Sequence, residues 1–194
     1  MIRRQKHKKI VGLIQALLTV CTLAGCAWND RNADEPVAVI ASTAETEQAS
    51  PVVIPPSVEA DTMGEALWNT FQTTVSENPD IEIASLANTL AADPSLPFTG
   101  TVSSIEADAE YFVGFGDYRI TGFDSASVYA PMIGSYAFVG YVFELSEDTS
   151  VNEFLVSLTS HCDPSWNICA EAEQTVAGAV GNTVFFVMCP RAVK

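Results

Sequence analysis

Tyr136 to Leu145 is the most constraining stretch of this chain: ten residues, nearly all apolar or aromatic, bounded by polar sequence on both sides. It has the β-branched and aromatic content of a strand and too much apolar surface for solvent, which predicts a central strand. Downstream, Gln174–Val180 and Thr183–Cys189 flank Gly181-Asn182, a two-residue turn suited to positive φ, and Pro190 ends the second run. That pattern predicts a β-hairpin. Upstream, Thr62-Met63-Gly64-Glu65 fits a capping box, and Met63, Leu67, Phe71 and Val75 recur every four residues with Trp68 beside them. The spacing predicts an amphipathic helix ending near Asn78-Pro79. A shorter helix is expected over Glu82–Ala92, ended by Asp93-Pro94 and Leu96-Pro97. Ser150 to Glu153 repeats the capping pattern ahead of Val151, Phe154, Leu155 and Leu158 at helical spacing. Between these, Phe98 to Ile133 interleaves aromatics with glycines and predicts short extended pieces and turns. The order favours an α+β domain, a small, mostly antiparallel sheet with helices packed on one face.

That domain is expected to run from residue 61 to residue 190, large enough for one true core, with 191–194 as a tail. Residues 26–60 read differently. They are rich in Ala, Glu, Ser, Thr and Pro, and their apolar residues come only in short patches such as Val37 to Ile40 and Val52 to Ile54. Such a segment buries too little surface to offset its ordering entropy and is expected to be a disordered acidic tether. Charge divides the chain sharply. Five of the nine Lys and Arg fall in the first nine residues, leaving four against all 24 Asp and Glu, a net of −20 from Ala27 onward. A surface of that sign repels phosphate backbones, which excludes nucleic acid as a partner.

Residues 1–25 have the parts of an export signal: a basic stretch to Lys9, then an apolar run from Ile10 to Leu23. Counted to Gly25, the run gives about 24 Å of helix, short of the roughly 30 Å hydrocarbon core. Leu23-Ala24-Gly25-Cys26 closes the run and resembles the lipobox of bacterial lipoproteins. The resemblance implies that Cys26 takes a diacylglyceryl thioether and becomes the new N-terminus, and two acyl chains make a stable anchor. The competing reading is an ordinary secretory signal cut near Ala27. The chain also resembles a family of uncharacterised lipoproteins of Gram-positive, Firmicutes-type bacteria. The likeness rests on the lipobox and tether, on the Tyr111–Phe123 aromatic-glycine segment leading into the Tyr136 strand, and on the ending Val180-Gly181-Asn182-Thr183-Val184-Phe185-Phe186-Val187. It implies an extracytoplasmic, lipid-anchored place at the cell membrane and carries no catalytic residue across.

Candidate chemistry is sparse. Cys162 and Cys169 bracket six residues, and export would permit a disulfide between them, contributing on the order of 2–3 kcal/mol; unpaired structural thiols are the alternative. A metal site from His161, Cys162, Cys169 and Cys189 lacks the two-to-four-residue spacing of zinc knuckles, so neither metal nor cofactor is expected. His161 and Cys162 are sequence neighbours, unlike a working nucleophile–base pair. Gly114-Phe115-Gly116 lacks the third glycine of a dinucleotide loop. Arg119 is the only Lys or Arg between Asn32 and Pro190; it is expected either to pair with Asp117 or Asp124 or to grip an anion bidentately. Tyr111 and Tyr118, with Arg119, form the candidate ligand-binding set, against a plain core role for the aromatics. The expected function is a non-enzymatic binding or scaffold module, held to the membrane by its lipid and meeting an envelope protein or glycan. The alternative is a glycan hydrolase using paired carboxylates.

Overall fold

A computed structural model describes residues 37–41, 60–134 and 136–191. Its elements in chain order are β1 (Val37–Ala41), α1 (Met63–Glu77), α2 (Ile83–Ala91), β2 (Gly100–Ile105), β3 (Phe123–Pro131), β4 (Val139–Leu145), α3 (Val151–His161), β5 (Gln174–Val180) and β6 (Thr183–Cys189). The strands form one antiparallel sheet in the order β1-β5-β6-β4-β3-β2. The fold is α+β, as the element order implied.

The capping box of α1 is complete. The Thr62 hydroxyl accepts from the Glu65 amide at 3.3 Å, and Glu65 Oε2 accepts from the Thr62 amide at 3.2 Å. On α3 only half of the motif forms, with the Ser150 hydroxyl accepting from the Glu153 amide at 3.4 Å. The β5–β6 hairpin has the bounds its turn dictates.

β4 is central, flanked by β3 and β6, and its residues alternate between two cores. On one face Val142, with Phe185 and Val187 of β6, meets Leu67, Trp68 and Phe71 of α1 and Leu86 and Leu90 of α2. Trp68, Phe71 and Phe185 form an aromatic cluster, with Trp68 stacked on Phe71 and Phe185 tilted against it, centroids 5.3 Å apart in both pairs. On the other face Tyr141, Phe143, Phe186 and Met188 meet Phe154, Leu155 and Leu158 of α3, together with Phe112, Phe115 and Ile120 of the 106–122 loop. Only α1 and α2 share one face; α3, expected on that face too, packs with an aromatic loop on the other, where its Phe154 meets Phe143 of β4. This explains why β4 is apolar except at exposed Glu144 near its end: a strand covered on both faces has almost no solvent side.

A second element differs from the sequence reading. Val37–Ala41, inside the stretch expected to be a disordered tether, is a strand, paired from Val37 opposite Ala179 to Ala41 opposite Thr175. β5 would otherwise end the sheet as an exposed row of unpaired backbone groups, and a short strand rich in β-branched residues satisfies it.

Gly140 marks a close approach. Its cross-strand partner Tyr129 lays its buried ring over it, so a Cβ at position 140 would fall 2.1 Å from Tyr129 Cζ.

Candidate functional site

The three residues proposed for ligand binding are not brought together. Tyr118 lies half-buried against α3, its ring stacked on His161 with centroids 3.7 Å apart and planes 10° from parallel, and its hydroxyl shares a hydrogen bond with Ser157 Oγ. Arg119 forms no ion pair with Asp117 or Asp124 among the described residues. Its Nη2 donates instead to the Asp108 main-chain carbonyl at 3.1 Å, while Asp124 accepts from Ser146 Oγ. Arg119 therefore ties the 106–122 loop to itself. Tyr111 alone stands out, 69% exposed.

Among the described residues Cys162, Cys169 and Cys189 are free thiols, so the structure has no bridge between Cys162 and Cys169, where one was expected. Cys162 Sγ donates to Thr159 O at 3.4 Å, and Cys169 is exposed. Burial pushes both the Cys162 and Cys189 thiols up, Cys189 to about 12. His161 Nδ1 lies 2.8 Å from the Ser157 main-chain carbonyl, not the Ser157 hydroxyl, so the pair does not make a base and its nucleophile. Among the described residues no group of three or more His, Cys, Asp and Glu side chains is placed to hold a metal ion.

Two depressions are open to solvent. One, of about 440 Å3, lies between the end of α2 and the start of β2, lined by Asn88, Ala91, Asp93, Leu96, Phe98 and Gly100 among others. Asp93 is buried there and fully engaged: Oδ1 accepts from the Ser95 amide at 2.8 Å and the Ser95 hydroxyl at 2.6 Å, and Oδ2 accepts from Thr70 Oγ1. The other, of about 340 Å3, runs along α3 past Glu153, Val156, Ser157 and His161. Each holds a single carboxylate, whereas glycoside hydrolysis needs two facing each other.

A more pronounced feature lies where three loops meet at the end of the sheet that carries the β3–β4 connection. Of the seven exposed large apolar side chains among the described residues, six (Tyr111, Val113, Met132, Ile133, Tyr136 and Ile168) belong to these loops; only Val156, on α3, does not. Ile168 is fully exposed, Met132 75% and Ile133 74%. Hydrogen bonds hold the loops together. Asn167 Nδ2 donates to Gly134 O at 3.2 Å and to Tyr136 O at 3.1 Å, joining the loop after α3 to the β3–β4 connection. The Asp163 amide donates to Gly114 O at 2.8 Å, and Tyr141 OH donates to Val113 O at 2.9 Å. Gly114 has φ +84°, a left-handed conformation that suits glycine where this loop closes onto the sheet beside Met188. Tyr136 packs on Phe98 with centroids 5.2 Å apart, which joins the apolar end to the 440 Å3 depression.

Of these six exposed residues the sequence singled out Tyr111 and passed over the rest. The available signal was Met132-Ile133 between Pro131 and Gly134, an apolar pair in a turn, where polar residues are the rule. Comparison of the chain with protein-family models, curated proteins and solved structures finds no match. What the fold and the surface define is an antiparallel α+β domain with one apolar loop end.

Proposed function

We propose that this chain is a lipid-anchored lipoprotein of the extracytoplasmic face of a bacterial cell membrane. Its single domain binds an envelope protein or glycan, without catalysis, through the loop end that carries Met132, Ile133 and Ile168. The anchor reading is supported by Leu23-Ala24-Gly25-Cys26 at the close of a basic-then-apolar leader. The binding reading is carried by one observation: the exposed apolar side chains are concentrated on three mutually bonded loops rather than scattered. Scattered surface apolar residues need no explanation, whereas a held cluster marks a contact surface.

The test has two arms. Cells grown on labelled palmitate should label the wild-type chain and not Cys26→Ser; no label in the wild type defeats the anchor. A photo-crosslinking residue at position 133 or 168 in intact cells should give a discrete adduct that the same residue at position 156 does not. Equal or absent adducts at all three positions defeat the binding surface.

A further inference from the structure

The loop end has a chemical character beyond its apolarity. Exposed acidic residues border it: Glu110 precedes Tyr111, while Asp163 and Glu171 lie on the loop that carries Ile168. Among the described residues the only Lys or Arg are Arg119, whose guanidinium is directed to the Asp108 carbonyl, and Arg191 beyond β6. The three most exposed tips, Met132, Ile133 and Ile168, carry no ring, and Tyr111 is the most exposed aromatic beside them. Non-aromatic tips leading the surface favour a polypeptide over a glycan. An anionic bilayer is repelled by the surrounding carboxylates, and so is a second copy of this chain. Residues 42–59 carry Glu45, Glu47 and Glu59 with no Lys or Arg, so the chain's own segment has the wrong sign as well.

Resting on the binding reading above, we propose that the occupant of the loop end is a cationic amphipathic segment of a partner protein. Its apolar side chains would meet Met132, Ile133 and Ile168, and its Lys or Arg would face Glu110, Asp163 and Glu171. Apolar contact supplies most of the holding, and opposite charge supplies the approach rate and the sign preference.

The test uses the full chain in non-ionic detergent and a fluorescent synthetic helical peptide with one leucine face and one lysine face, followed by anisotropy. Polylysine and the lysine-to-glutamate version of the peptide serve as comparisons. The leucine–lysine peptide should bind at least tenfold tighter than either. Ile168→Ser and Ile133→Ser, both at exposed positions that folding does not use, should each weaken it at least fivefold. Combining Glu110→Gln with Glu171→Gln should weaken it at low salt and flatten its salt dependence. Equal binding of polylysine would mean that bulk charge alone is at work, and equal binding of the glutamate peptide would mean that charge does not select; either overturns the proposal. Cellular adducts from position 168 that map to an acidic segment, to residues 42–59 or to another copy would also overturn it while leaving the binding surface standing. Absence of any adduct removes the surface itself.

Discussion

Gly140→Ala tests the packing at the centre of the sheet. Tyr129 Cζ and Cε1 would lie 2.1 Å and 2.4 Å from the new Cβ, and since ordinary contact begins near 3.4 Å the ring must retreat by about 1.3 Å. It has nowhere to go: Tyr129 is fully buried, with the Phe138 ring centroid 5.7 Å away on the helix face. Overpacking of this kind costs about 3 kcal/mol, since rigid neighbours absorb little of it. For a domain of this size that is a fall in Tm of about 10 °C. The decisive measurement is a double-mutant cycle by urea unfolding. With Tyr129→Val the ring is gone, and Gly140→Ala should become neutral or stabilise by up to about 1 kcal/mol, because alanine restricts the unfolded chain more than glycine does. A loss below about 1 kcal/mol in the wild-type background, or additivity in the cycle, would show that the strand adjusts and that the glycine is incidental.

Three further outcomes are expected. Asp93→Ala removes the acceptor for the Ser95 amide, the Ser95 hydroxyl and Thr70 Oγ1 at a buried position; denaturant unfolding should show a loss of about 2–4 kcal/mol, and a loss under about 1 kcal/mol would mean that water replaces the carboxylate. Burial raises the Cys189 thiol from 9.0 to about 12, so the folded state keeps a proton that the unfolded chain releases. Stability should therefore be intact below pH 9 and fall as pH rises from about 9 toward 12, and Cys189→Ala should make that fall shallower; an unchanged alkaline slope in the variant would place the titration elsewhere, in the buried Tyr129 and Tyr141 phenols that also rise. Val39→Pro, opposite Ala177, removes a backbone donor from β1; hydrogen exchange should quicken along β5 and leave α2 protected, and identical exchange would deny the β1–β5 pairing.

Much of the fold was legible because its signals are local. The Thr62–Glu65 box, the four-residue spacing from Met63 to Val75 and the Gly181-Asn182 turn each specify their element within a few residues, without reference to the rest of the chain. What escaped depends on what lies across from a residue. Phe154, Leu155 and Leu158 declare that α3 has a buried side but not which face of the sheet it meets. Val37 to Ala41 is too short to stand out from its Ala- and Glu-rich surroundings, and only the open edge of β5 gives it a partner. Apart from Tyr111 and the Met132-Ile133 pair, the loop end escaped for the same reason. Tyr111 looks no different from Phe112 in sequence, yet one is exposed and the other buried beneath Tyr141 and Phe123. Arg119 drew interest as a rare cation, but its setting depended on which carbonyl the loop turned toward it.

The pairing of β1 also sets a polarity. Val37 enters the sheet beside Ala179, next to the β5–β6 turn, whereas the Asn167–Tyr136 junction lies at the far end of the strands. With Cys26 acylated, ten residues of chain would separate it from Val37, eleven Cα steps that reach at most about 38 Å at full stretch. The chain before Val37 thus joins the domain at its hairpin-turn end, and the loop end lies at the other end of the strands.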